Sequence, residues 1–246
     1  MSGRYVLRKK PKTFNSAIWR HYWYHVPVSK PLYNIGPHPH KTTSVLINTI
    51  GKKLVNQDML WGVHTSWSKS ALINAKVESI KNSKLWKPLA AMRPCLIPAD
   101  GFYLAEEQIR QTGSYKKNDN KTSPAEKRTW HGVEFTNRQA FFMAGFWKPG
   151  DESSHYVLLT REANDSLKSI NTRVPVIFTE SQAAAAQLWM DTEMNFDKRL
   201  AVLMEDQQTT QNRHQNSDIH TFKVGHRVKN LGNDGPELFQ AEANSE

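Results

Sequence analysis

Few side chains of this 246-residue chain are spaced for chemistry. His21 and His25 stand four residues apart, and His38 and His40 flank Pro39. Either pair could offer two imidazoles to a metal ion, but a closed site needs a third and a fourth ligand. No His-Glu-x-x-His pattern and no cysteine cluster supplies them, so neither a metal nor a cofactor is expected. The single cysteine, Cys95, lies between Pro94 and Leu96 in an apolar run, which suits an inert core thiol better than a nucleophile. One cysteine also excludes an intramolecular disulfide framework and fits a reducing compartment. The run from Trp19 to His25 interleaves aromatic and basic residues. Three uses fit it: stacking on bases, packing rings into a core from one helix face, or a protein-contact face built on Trp19, Tyr22, Trp23 and Tyr24.

The elements that must position such residues are mostly strands. Short apolar runs separated by turn residues predict strands at Ser44–Asn48, Met59–Val63, Pro94–Pro98, Phe141–Phe146, Tyr156–Thr160, Pro175–Phe178 and Thr221–Val224. Several are apolar at consecutive positions, as in strands buried on both faces or closed into a barrel. Helices are fewer. Thr179-Glu180-Ser181-Gln182 has capping-box spacing ahead of the helix formers Ala183 to Met190, Phe14 to Tyr24 predicts an early helix, and Ala75 to Lys81 a short one. The class is α+β, dominated by antiparallel sheet. Glu106 to Arg128 is polar and lysine-rich (Lys116, Lys117, Lys121) and reads as a long loop or insertion. Glu205 to Ser217 reads as a polar connection, and 241–246 as a flexible tail.

Composition narrows the partner. The formal net charge is +10 and the pI is near 9.6. An excess of this sign favours a polyanion, nucleic acid first, because a basic face gains from counterion release. No apolar run reaches the ~20 residues of a membrane span, so no membrane partner is expected. The start lacks the apolar stretch of a secretory signal, which implies an intracellular site, cytoplasmic or nucleoid-associated.

Several blocks, in order along the chain, then carry a resemblance. They are Met1-Ser2-Gly3-Arg4-Tyr5, Tyr33-Asn34-Ile35-Gly36-Pro37, Trp61-Gly62 with Leu72-Ile73-Asn74-Ala75-Lys76-Val77-Glu78, Pro98-Ala99-Asp100-Gly101-Phe102-Tyr103, and Ile170-Asn171-Thr172-Arg173-Val174-Pro175. Val228-Lys229-Asn230 and Gly235-Pro236-Glu237-Leu238 complete them. Together they resemble the SRAP family, the SOS-response-associated peptidase fold whose members recognise abasic sites in single-stranded DNA. The resemblance implies a single β-rich domain over 1–240 with a sheet or barrel core, a few peripheral helices and a basic groove for single-stranded DNA. It further implies that Arg4, Lys76 and Arg173 meet phosphates, that Trp67 stacks along the strand, that Asn74 contacts sugar or lesion, and that Pro37 and Glu78 line the site; read structurally instead, Asn74 and Glu78 would hold turns and Trp67 would be core.

The family's chemistry needs a cysteine at position 2, exposed by loss of the initiator methionine, which captures the ring-opened aldehyde of an abasic site. A glutamate and a histidine assist it. Here the corresponding positions hold Ser2, Leu104 and Asn171. A hydroxyl is far less nucleophilic than a thiol without an adjacent base. A free Ser2 α-amine, with an ordinary pKa of about 7.7–8.0, could still form an imine. Glu106 and Glu107, just past Leu104, are the nearest replacement carboxylates. The expected function is therefore DNA binding, of single-stranded or abasic-site-containing strands, without stable crosslinking or autoproteolysis. Two alternatives stand beside it: a pseudoenzyme that grips a protein partner, and a weak Schiff-base enzyme using Ser2.

Overall fold

A computed structural model describes residues 3–49, 51, 53–107, 128–201, 203–204 and 218–242. Ser2, most of the predicted 106–128 loop, the 205–217 connection and residues 243–246 lie outside the described residues. In chain order the first half holds β1 (Tyr5–Leu7), α1 (Ala17–Tyr24), β2 (Leu32–Ile35), β3 (Thr42–Asn48), β4 (Leu54–Trp61), β5 (Asn74–Lys76), α2 (Val77–Ile80) and α3 (Trp86–Met92). The second half holds β6 (Pro94–Ala99), β7 (Gly101–Ala105), β8 (Trp130–Phe135), β9 (Phe141–Lys148), β10 (His155–Glu162), α4 (Asp165–Lys168), β11 (Arg173–Pro175), β12 (Ile177–Phe178), α5 (Ala183–Met190) and β13 (Ile219–Val224). The molecule is α+β, with sheets at its core and helices around them.

One sheet runs β13-β8-β7-β1-β2, all antiparallel. The other closes on itself: β4, β3, β6 and β9 pair in turn, and β10 pairs with β9 on one side and β4 on the other. Closure removes exposed strand edges and explains why β6 and most of β9 are buried at consecutive residues rather than alternately. Antiparallel pairing dominates, as expected, with one strand as the exception. β10 runs parallel to β4 and to β5, pairings that the long crossovers between them permit.

β6 passes into β7 through Asp100, which carries the chain from the barrel to the open sheet. The corner is held by charge. Asp100 is fully buried, accepts from the backbone N–H and Nε of Arg8 at 3.1 Å each, and Arg8 reaches on to Glu134 at 2.7 Å. Burial pushes the Asp100 carboxyl above its ordinary pKa, against the pull of Arg8.

The helices close the barrel's outside. Ser16 caps α1 by accepting from Trp19 N–H, so the helix begins at Ala17 rather than Phe14. Trp19, Tyr22 and Trp23 then fall on one face and surround the Phe142 ring, with centroids 4.9, 6.0 and 4.7 Å away. This corrects the protein-contact reading for those three residues. They are in the core, at i, i+3 and i+4 spacing, and only Tyr24 stays outside, 80% exposed. The predicted capping box forms: Gln182 accepts from Thr179 N–H at 3.0 Å and opens a 3-10 turn that feeds α5. The stretch predicted as a helix over Ala75–Lys81 begins instead as β5 and becomes α2 at Val77.

Candidate nucleic-acid interface

The start of β1 organises the site. Tyr103 N–H donates to Arg4 C=O at 3.1 Å, so the residues before β1 continue alongside β7. Arg4 is half-buried, and among the described residues its guanidinium bonds only carbonyls, Gly3 C=O at 2.7 Å and Lys229 C=O at 3.1 Å. No described carboxylate pairs with it, and burial lowers its pKa from the ordinary arginine value. A half-buried cation without a counterion is costly unless an anion completes it.

The glycines of the motifs make this geometry fit. A side-chain carbon on Gly36 would lie 2.5 Å from Leu231 Cδ2, 2.8 Å from Arg4 Nη1 and 2.9 Å from Gly3 O. On Gly3 it would lie 2.8 Å from Ile73 Cδ1 and 3.3 Å from Pro37 Cδ. Pro37 and the segment leading into Asn74 thus meet at Gly3. Asn34 fastens the C-terminal segment behind them, its Nδ2 donating to the carbonyls of Val228, Asn230 and Asn233 at 2.9–3.2 Å. The Tyr103 hydroxyl donates to Tyr33 C=O at 2.7 Å.

Trp61 and Gly62 place the next group. Trp61 Nε1–H donates to Ile73 C=O at 2.9 Å, and Gly62 adopts φ 110°, a left-handed backbone that glycine enters without strain. Beyond it Val63 bridges Leu72, leaving residues 64–71 as a projecting loop with Trp67 71% exposed. Trp67 is therefore not a core residue. β5 follows, with Lys76 exposed and Asn74 half-buried, its Oδ1 buried without a partner among the described residues.

Glu78 and Arg173 form a two-pronged pair at 2.9 and 2.8 Å, and Arg173 also donates to Thr160 C=O and Oγ1 at 2.5 and 3.2 Å. Burial alone would raise the Glu78 pKa, but the Arg173 hydrogen bonds outweigh it and hold the carboxyl below its ordinary value. Arg173 thus differs from Arg4. Its charge is matched, and it ties β10 and β11 to α2.

Leu104 and Asn171, which the resemblance sets at the family's proton-transfer positions, make other contacts. Leu104 is buried in the core. Asn171 donates from Nδ2 to Ala105 C=O and accepts at Oδ1 from Arg173 N–H, each at 2.9 Å, so it pins the 171–173 segment to the end of β7. A pair that sequence spacing could not reveal sits beside them. His131 is the cross-strand partner of Leu104, on the same face, and its Nε2 lies 2.9 Å from Glu106 Oε1. That hydrogen bond lowers the Glu106 pKa. Glu107 accepts from Thr172 N–H at 3.3 Å. Cys95 is fully buried, and burial drives its thiol well above the ordinary pKa.

Among the described residues there is no group of three or more His, Cys, Asp or Glu placed to hold a metal, and no helix long and apolar enough to cross a membrane. The chain matches the family model of SOS response associated peptidase (SRAP) over residues 1–231. It is 24% identical over 225 residues to the abasic site processing protein YoqW of Bacillus subtilis, covering 86% of each chain. It is 26% identical over 213 residues to the abasic site processing protein YedK of Escherichia coli, covering 85% of this chain and 83% of that one. Its fold is similar to that of a phage-related protein of Bordetella bronchiseptica, with a TM-score of 0.64 at 18% identity over 91% of this chain and 94% of that one. With its motif blocks gathered around the start of β1 and a family match across nearly its whole length, the chain belongs to the SOS response associated peptidase (SRAP) family.

Proposed function

We propose that this protein binds single-stranded DNA, abasic-site-containing strands included, across the face formed by Arg4, Pro37, Trp67, Asn74 and Lys76, and makes no durable covalent link. Arg4 carries the reading: a half-buried guanidinium held by carbonyls and lacking a carboxylate partner among the described residues, where a phosphate would supply the missing charge. The exposed Lys76, the projecting Trp67 ring and the unpartnered Asn74 Oδ1 add a phosphate contact, a stacking surface and a polar contact. Loss of chemistry is supported by Leu104, which has no proton to give, and by Asn171, whose amide is already bonded on both sides. The relatives' names point to abasic-site DNA as the lesion. Residues 1–240 act as one domain in this reading, inside the cell where that DNA is found.

The test is affinity for a labelled single strand as a function of salt. Arg4→Ala and Lys76→Ala should each weaken binding and flatten the salt dependence. Unchanged affinity in both would remove the reading.

The Glu106–His131 pair favours one second reading, a reversible imine on the Ser2 amine. The amine would add to the aldehyde carbon of an abasic site, and water would leave after proton transfer through His131. Borohydride would reduce the imine to a stable amine adduct. Trapping that is abolished by acetylating the α-amine and slowed by His131→Ala supports this reading; no adduct at any pH removes it.

A further inference from the structure

The outer face of α1 has no role in the site above, yet its composition is unusual. The residues that turn to solvent are Ala17, Arg20, His21 and Tyr24, one face at i, i+3, i+4 and i+7. The Tyr24 ring, 80% exposed, lies 5.4 Å edge-on from His25, which in turn lies 5.0 Å from His21. The β3–β4 turn lies alongside, its Thr49, Gly51 and Leu54 lining one groove with His21 and Tyr22. Lys10 arrives from the segment after β1. Lys53 comes from the β3–β4 turn, where its backbone exchanges hydrogen bonds with Thr49. The charges of both bear on the His25 imidazole. Burial first, then His21, Lys53 and Lys10, hold that imidazole below its ordinary pKa. The helix itself carries no acidic residue.

The face borders a groove of about 1120 Å³. The groove takes in His21 and Tyr22, and among its other lining residues Arg93 lies over the Trp147 ring at 5.1 Å. Asp191 and Glu193 stand on the α5 side, so a polyanion would follow the other rim, where Thr49, Gly51 and Leu54 bring in the turn that carries Lys53. An exposed flat ring beside Arg20 and these lysines, which form no ion pair among the described residues, has a natural occupant. It is a chain with alternating anionic and aromatic groups, which describes a single nucleic-acid strand.

We propose that the outer face of α1, with Lys10 and Lys53, is a second contact for single-stranded nucleic acid, in which Tyr24 stacks on a base while Arg20, Lys10 and Lys53 meet phosphates. It extends the proposed function and rests on it for the identity of the ligand. It also explains why one ring of the Trp19–His25 run is left in water while three are packed away. A longer strand would engage both faces, with the second acting at the high effective concentration that tethering provides.

The test uses the full chain and fluorescein-labelled oligothymidylate of about 8 and about 24 nucleotides, spanning the usual range of single-strand site sizes. Tyr24→Ala should weaken binding of the longer strand by about 5-fold or more with little change in salt slope. Lys10→Ala with Lys53→Ala should lower the slope of log K against log salt by about 1.4, since each single-strand phosphate contact contributes about 0.7. Wild-type affinity and slope in both variants, with unchanged circular dichroism, would overturn the proposal. Polyglutamate of matched charge competing as well as the oligonucleotide would also overturn it, assigning the face to acidic peptides. A parallel Trp67→Ala/Lys76→Ala variant separates the two sites. Loss there with normal α1 variants leaves the first face standing and removes this one. Loss only in the α1 variants keeps this face and removes the first.

Discussion

Replacing Glu78 by glutamine isolates Arg173, the carboxylate-matched cation that the family resemblance adds to the proposed DNA face. The carboxylate holds Arg173 through two bonds of 2.9 and 2.8 Å. Glutamine keeps the shape and one acceptor, removes the negative charge, and leaves Arg173 anchored on Thr160. One extra phosphate contact steepens the single-strand salt slope by about 0.7. Between about 200 and about 50 mM salt, the ratio of variant to wild-type affinity should therefore grow by about 2.6-fold. The pair is partly exposed, with Glu78 side-chain exposure at 36%, so its loss should cost no more than about 1 kcal/mol. At this chain length that lowers Tm by about 4 °C at most. The pH dependence has a defined sign. The folded-state pKa of Glu78 lies below its ordinary 4.5, so the pair stabilises the fold above that value and loses its contribution as pH falls through the folded pKa. The acid limb of Tm against pH should be shallower in Glu78→Gln than in the wild type. Fluorescence anisotropy at several salt concentrations reads the binding. An unchanged or flatter slope would refute the reasoning, leaving Arg173 as a structural tie away from the strand.

Three further outcomes follow from particular contacts. Trp67→Ala should weaken single-strand binding by about 1–3 kcal/mol with Tm unchanged, because the ring is exposed and packs little; isothermal titration beside calorimetric melting checks both. Gly36→Ala must displace Leu231, Arg4 or Gly3, and should cost about 1–3 kcal/mol on denaturant unfolding while also flattening the salt slope. Asp100→Asn leaves Arg8 short of its buried partner at the corner between the sheets. It should destabilise by about 3 kcal/mol, read as a fall in denaturation midpoint without loss of DNA binding in the folded fraction.

Much of the barrel was legible because β3, β6 and β9 carry uninterrupted apolar runs that only doubly covered strands support. The capping box before α5 was legible for a local reason, since its partners lie three residues apart. β1 and β2, at three and four residues, are too short to show a period. β8 hides behind Gly132 and two polar residues, His131 and Glu134, that are buried because they have partners. Pro88 breaks the helical pattern of α3. The core role of Trp19, Tyr22 and Trp23 was readable from their helical spacing, although their aromatic density equally suits a contact surface. At the site, the motif blocks pointed to Arg4, Asn74, Lys76 and Arg173 but not to the difference between them. Whether an arginine is matched by a carboxylate depends on which strand lies beside it. Glu78 and Arg173 are 95 residues apart, and Glu106 and His131 are 25 apart.

The central claim is binding without a durable bond, and one mixture tests it. Purified protein is incubated with labelled single-stranded DNA, with and without an abasic site, then resolved on native and on denaturing gels. The account predicts a native shift for both strands and no denaturing-stable adduct on either. An adduct confined to the abasic strand would contradict it, showing that Ser2 sustains the covalent chemistry; no native shift even at low salt would contradict the binding itself.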